Sequence, residues 1–145
     1  MSETKSKNST NAIASLKSDH KKVKGLFDQF EKAKDRATKM TIVSEALEEL
    51  SIHATLEEEI FYPAVRQEID DEDEVMNEAD EEHHVAKILI AELEEMDGSE
   101  SHYDAKFTVL TENVRHHIKE EEENMLPEVQ KTELDFDALG KKCVR

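Results

Sequence analysis

Apolar side chains recur along this chain at steps of three and four, the spacing of one face of an α-helix. Ile13, Leu16, His20, Val23, Phe27 and Phe30 form the first stripe. Val43, Ala46, Leu50, His53, Glu57 and Ile60 form a second, and Ala79, His83, Ala86, Ile90 and Leu93 a third. Phe107, Leu110, Val114, His117, Glu121 and Met125 form the fourth. Turn signals separate them: a break around Asp35–Thr38, the acidic run Asp70-Asp71-Glu72-Asp73, and Asp97-Gly98-Ser99. Ser101 and Asp104 have the spacing of a capping box for the fourth helix. A short fifth helix is expected from Thr132 to Leu139, stopped by Gly140. Pro63 falls inside the second stripe and should kink that helix or free a carbonyl near Glu59. Residues 1–10 are rich in Ser, Thr, Asn and Lys and read as a disordered segment ahead of one domain, 11–145. The expected fold is all-α, four antiparallel helices with a short C-terminal helix.

Composition supports this. Only three Gly and two Pro interrupt 145 residues, which favours helix almost throughout. Apolar residues make up 37% and charged residues 38%, as amphipathic helices with charged outer faces require. The net charge of -17 argues against nucleic acid and against an anionic membrane surface, both of which need basic patches. It suits cations. No apolar run reaches membrane-spanning length, and Met1–Asn11 is too polar for a signal peptide. The single cysteine, Cys143, has no internal partner, so a reducing cytoplasmic setting is expected.

The chain also repeats itself. His53-Ala-Thr-Leu-Glu57-Glu58-Glu59-Ile-Phe-Tyr-Pro63 and His117-Ile-Lys-Glu-Glu121-Glu122-Glu123-Asn-Met-Leu-Pro127 share H-x3-E-E-E-x3-P. Asp19-His20-Lys-Lys-Val23-Lys24 likewise returns as Glu82-His83-His-Val-Ala86-Lys87. His20 to His83 is an offset of 63 residues, and His53 to His117 one of 64, so the bundle should have a pseudo-two-fold axis. If four antiparallel helices share one site, each turn must fall midway between successive histidines. The midpoints lie near Arg36, Glu68 and Glu100, within about two residues of the turn signals, close to the usual boundary error.

His53 and Glu57 are four apart, as are His117 and Glu121, so each pair leaves one helix face. All lie on inner stripes, where an uncompensated carboxylate costs several kcal/mol. Two metal ions bridged by Glu57 and Glu121, each taking two imidazoles, remove the difficulty. The repeat pairs His20 with His53 and His83 with His117. This nitrogen and oxygen set suits iron or manganese, with zinc also admissible. Glu58, Glu59, Glu120, Glu122 and Glu123 read as a solvated outer face, although the repetition of Glu58 and Glu122 leaves a supporting or additional-ligand role open. His84, His102 and His116 read as surface residues, Tyr62 as packing and Cys143 as an ordinary thiol.

Asp19-His20, His53-x3-Glu57-Glu58, Glu82-His83-x3-Lys87 and His117-x3-Glu121-Glu122, in that order over about residues 12–130, resemble the hemerythrin-like family, also called the HHE cation-binding domain. The resemblance implies an up-down-up-down four-helix bundle around a non-haem di-iron centre. It implies His20, His53, His83 and His117 as terminal ligands, Glu57 and Glu121 as bridges, and an oxo or hydroxo bridge between the ions. One departure bears on function. Oxygen-carrying hemerythrins have a further histidine four residues from the one on the third helix, and here those positions are Ala79 and Lys87. Open positions on both ions are then expected, suited to oxygen, nitric oxide or peroxide. Binding or sensing of a small oxidant leads the readings. Peroxide decomposition or oxidase chemistry, iron storage or repair of iron centres, and a metal-free interaction module stand beside it.

Overall fold

The computed structural model describes residues 11–69 and 73–143. The expected disorder of 1–10 and most of the acidic turn, 70–72, lie outside the described residues. Four rods run up, down, up and down. The first is α1 (Ala12–Lys32). The second joins α2 (Arg36–Leu56), a π-turn (Glu57–Phe61) and α3 (Tyr62–Glu68). The third is α4 (Glu74–Glu94). The fourth repeats the second as α5 (Tyr103–Glu120), a π-turn (Glu121–Met125) and α6 (Leu126–Gln130). A short α7 (Phe136–Lys142) packs on α1.

Local chemistry sets the rod ends. Asn11 accepts from the Ile13 and Ala14 N–H groups at 3.0 and 3.3 Å, and Asp35 accepts from Thr38 N–H at 2.9 Å. Asp73 caps α4 in the same way through Val75 and Met76 at 2.9 and 3.3 Å. Each such cap contributes about 1 kcal/mol. The turn between α4 and α5 needs Gly98, whose φ is +94° and whose added Cβ would meet the Met40 side chain 2.6 Å away. Arg36, at the start of α2, donates to both oxygens of Asp104, at the start of α5, at 2.6 and 3.2 Å. The second and fourth rods therefore begin at the same end of the bundle, as an alternating topology requires.

Two boundaries differ from the sequence expectation. Ser101 does not cap the fourth helix, which starts at Tyr103 after His102. Asp104 is drawn instead to Arg36 and Lys39, and a doubly charge-assisted contact outweighs the reach-back bond of a capping box. The fifth helix runs Phe136–Lys142 rather than Thr132–Leu139, because Asp135 caps it through Ala138 N–H at 3.0 Å. Gly140 lies inside that helix, buried, and does not end it.

The core is in two parts. One holds Val23, Phe27, Phe30, Val43, Leu50, Ile90, Phe107, Leu110 and Val114. The other holds Ile13, Leu16, Phe61, Tyr62, Met76, Ala79, Met125 and Leu126. Each rod passes from one to the other at its histidine: His20 between Leu16 and Val23, His53 between Leu50 and Phe61, His83 between Ala79 and Ile90, His117 between Val114 and Met125. A polar layer thus crosses the middle of an apolar bundle. Such a layer is stable only if its groups satisfy one another or hold a cation.

Candidate metal centre

His20, His53, Glu57, His83, His117 and Glu121 meet in this layer, all buried, with Glu57 and Glu121 at 0 and 1% exposure. Straight α-helix brings in the histidines and the two glutamates four residues on. Past those glutamates the backbone leaves the α-helical path. Pro63 and Pro127 lack an N–H, so the Glu59 and Glu123 carbonyls lose their i+4 donor. The backbone widens in response, and Tyr62 N–H bonds the Glu57 carbonyl, five residues back; Leu126 N–H does the same to Glu121. In an α-helix a residue five places on is turned about 140° away. The π-turn cancels that rotation and sets Tyr62 over Glu57 on the inner face. The expected kink at Pro63 is thus a widened turn. It leaves Ile60 half-buried, whereas Phe61 is completely enclosed.

Each of the four inward histidines is held from outside by a carboxylate. His20 Nδ1 lies 2.7 Å from Glu122 and His83 Nδ1 2.8 Å from Glu58. His53 Nδ1 lies 3.2 Å from Asp19 and His117 Nδ1 2.6 Å from Glu82. A carboxylate only accepts, so each Nδ1 carries the proton and donates. The arrangement obeys the repeat: Asp19 and Glu82 precede the histidines of α1 and α4, while Glu58 and Glu122 lead the π-turns. Glu58 and Glu122, read from sequence as solvated, are half-buried and orient His83 and His20. His84 and His116 point outward, as expected.

With Nδ1 donating, each neutral imidazole turns an Nε2 lone pair inward. The His20 and His53 Nε2 atoms are 3.2 Å apart, and so are those of His83 and His117. His20 Nε2 lies 3.0 Å from Glu121 Oε1, and His53 Nε2 lies 3.2 Å from Glu57 Oε2. Both carboxylate oxygens are buried, yet neither accepts a hydrogen bond, despite those short distances. Lone pairs facing at that range repel unless a cation lies between them. Around a metal with bonds of about 2.1 Å, neighbouring ligands at right angles stand about 3 Å apart. The donor set therefore fits a metal, in two overlapping clusters: His20, His53, Glu57 and Glu121, and Glu57, His83 and His117.

Protons take the cation's place when no metal is bound. Burial opposes charge on His53, but Glu57 and Asp19 overcome it and hold its pKa up to about 10. Burial also opposes charge on His117 and His83, and the glutamates around them still raise both. Glu57 is likewise penalised by burial but is pulled well below the usual carboxylate range, first by His53.

Residues 11–129 match the hemerythrin HHE cation binding domain. The chain belongs to this family. An uncharacterized hemerythrin-like protein of Schizosaccharomyces pombe is 27% identical over 114 residues, 78% of this chain. The chain spans 56% of the length of that relative. A crystal structure of a hemerythrin HHE cation binding domain-containing protein from Mycobacterium kansasii superposes with a TM-score of 0.75 at 28% identity, covering 92% of this chain and 82% of that one.

Within this HHE domain Tyr62 corrects the sequence reading, which assigned it to packing. Its hydroxyl lies 2.6 Å from Glu121 Oε2 and 3.1 Å from Glu57 Oε1. It is also 3.2 Å from His117 Nε2 and 3.4 Å from His83 Nε2. Burial, then Glu121 and Glu57, raise its pKa well above 10, so it stays a hydroxyl donor. The repeat puts Leu126 at the matching position, so the two halves are chemically unequal. One sequence signal marked this: a phenol in one copy of H-x3-E-E-E-x3-P and a leucine in the other. Lys87, four residues after His83, turns outward to Glu58. On the face away from Tyr62, a cavity of about 40 Å³ reaches all four histidines. That is room for about three waters.

Proposed function

We propose that this HHE domain holds two iron ions and binds or senses a small oxidant: oxygen, nitric oxide or peroxide. The first ion takes His20 and His53, the second His83 and His117, and Glu57 and Glu121 span the pair. The observation that carries the reading is the convergence of four inward Nε2 lone pairs on two buried carboxylates, each with one oxygen, Glu57 Oε2 and Glu121 Oε1, that accepts no hydrogen bond. Imidazole and carboxylate without thiolate suit iron or manganese, and admit zinc. The bound ions supply Lewis acidity and redox change. The chain's own residues supply the rest. Asp19, Glu58, Glu82 and Glu122 fix the four imidazoles, and the small cavity excludes organic substrates.

A second reading, peroxide decomposition, is favoured by Tyr62, which keeps a proton-bearing hydroxyl within hydrogen-bond reach of both carboxylates. Turnover of peroxide needs protons delivered at the site; reversible binding does not. No helix among the described residues is long and apolar enough to cross a membrane. Cys143 is a buried free thiol, in keeping with a reducing cytoplasm. Mixing the reduced, iron-loaded protein with oxygen in a stopped-flow spectrometer tests the reading. A persistent adduct supports binding or sensing. Rapid oxidation followed by catalytic loss of added peroxide supports the enzyme. A protein that retains no metal contradicts both.

A further inference from the structure

The cavity over the histidines is flanked by unequal seams, and the repeat shows how they differ. Its lining residues that are not fully buried fall on two seams. On the α4–α5 seam are Glu82 and Asn113, and there Asn113 Nδ2 donates to the Glu82 carbonyl at 3.4 Å across the gap. On the α2–α4 seam are Ala54, Ala86 and Lys87; the exposed Lys87 pairs with Glu58 across the seam, and neither alanine has a side chain able to bridge the gap beside that pair. The pseudo-two-fold axis relates this seam to the one between α5 and α1. Ala54 corresponds to Ile118 and Ala86 to Val23, which are 4 and 3% exposed. Ser51 corresponds to Arg115, which reaches across from α5 to Asp28 and Glu31 of α1 at 3.1 and 3.3 Å and covers the Phe27 ring. Three small side chains thus stand on one seam where three large ones seal the other.

We propose that the α2–α4 seam is the access route for the small ligand, and that Ala54 and Ala86 determine what passes. This rests on the metal reading above. A duplicated bundle would by symmetry be open on both seams or on neither. Replacing large residues by small ones in one copy opens a single path and leaves the opposite seam to hold the halves together. The walls are apolar, from Leu50, Ile90 and Val114, and the space takes about three waters, so diatomic molecules and peroxide fit and larger substrates do not. Access runs to the histidine layer from the side of Leu50, Ile90 and Val114, whereas Tyr62 packs in the other part of the core.

The test exchanges the two seams. Ala54→Ile with Ala86→Val imports the residues of the sealed seam and adds five carbons across the route. Metal content and visible spectrum should match the unaltered protein. Association of nitric oxide with the reduced protein should slow about tenfold, a barrier increase of about 1.4 kcal/mol. Its equilibrium affinity should change little, because exit slows as well. Val23→Ala with Ile118→Ala should act in reverse and quicken association. Crystals under xenon give a readout that needs no metal: one xenon between Leu50 and Val114, absent after Ala54→Ile with Ala86→Val. An unaltered association rate in a variant with unaltered spectrum overturns the proposal, as does xenon elsewhere or on the α5–α1 side. If the double variant does not fold, Ala86→Val alone and the reverse pair decide in the same way. Loss of metal from the unaltered protein, with xenon still in the cavity, would refute the metal reading and not the route.

Discussion

Raising the pH from about 7 to about 9 should weaken the metal-free protein and leave the metal-loaded protein nearly unchanged. The cause is His53. Its ordinary pKa is 6.5, and in the folded, metal-free chain it is held up to about 10 by Glu57 and Asp19 against the cost of burial. A folded pKa above the unfolded value stabilises fully below about 6.5, and that stability is lost as pH rises toward about 10. In that window the unfolded chain has released its proton and the folded chain keeps it. Each pH unit then removes about 1.4 kcal/mol, so two units remove roughly 2–3 kcal/mol. The depressed pKa of Glu57 reports the same pair and is not added. His83 and His117 are raised too and act in the same direction. Tyr62 lies well above 10 and does not titrate in this range. With metal bound the imidazoles are already neutral, so this pH dependence vanishes. Urea denaturation followed by circular dichroism, at buffered free metal, measures both curves. Equal slopes in the two samples, or a metal-free stability that holds level or rises with pH, would refute the reasoning.

Tyr62→Phe should keep the metal and cost about 1–3 kcal/mol in the metal-free protein, since Glu121 loses a buried donor at 2.6 Å. If peroxide is turned over, its rate should fall while nitric oxide binding persists, a split that steady-state and stopped-flow assays would show. Glu122→Gln should weaken metal affinity by about 10–100-fold through the loosened His20 ring, measured by competition with a chelator. Phe107→Ala, at a fully buried ring 4.6 Å from Phe30, should cost about 3–5 kcal/mol in urea denaturation with metal stoichiometry unchanged.

The four inward histidines and the two inner glutamates were readable from sequence because His20 and His83 sit in uninterrupted helices and the others come before the period changes at the widened turns. As far as Glu57 and Glu121 each rod is regular α-helix, so steps of three and four report one face faithfully. Equal rod heights did the rest, since the turns fall where the histidine midpoints require. Beyond those glutamates the period changes, and the stripe that pointed to Ile60 passes to Phe61 and Tyr62. Pro63 signalled a disturbance without giving its direction, because a missing N–H permits either a kink or a wider turn. Glu58 and Glu122 looked solvated because their partners lie on other rods, where sequence spacing carries no distance. Ser101 had the right spacing for a cap, but Arg36, 68 residues from Asp104, decided the matter.

Metal analysis of the purified chain tests the central claim most directly, with His20→Ala and Glu57→Gln measured beside it. His20 belongs to one of the two clusters and Glu57 to both. The account predicts two metal ions per chain, about one after His20→Ala, and loss from both positions after Glu57→Gln. A chain that binds one ion or none, or that keeps two after Glu57→Gln, would contradict it.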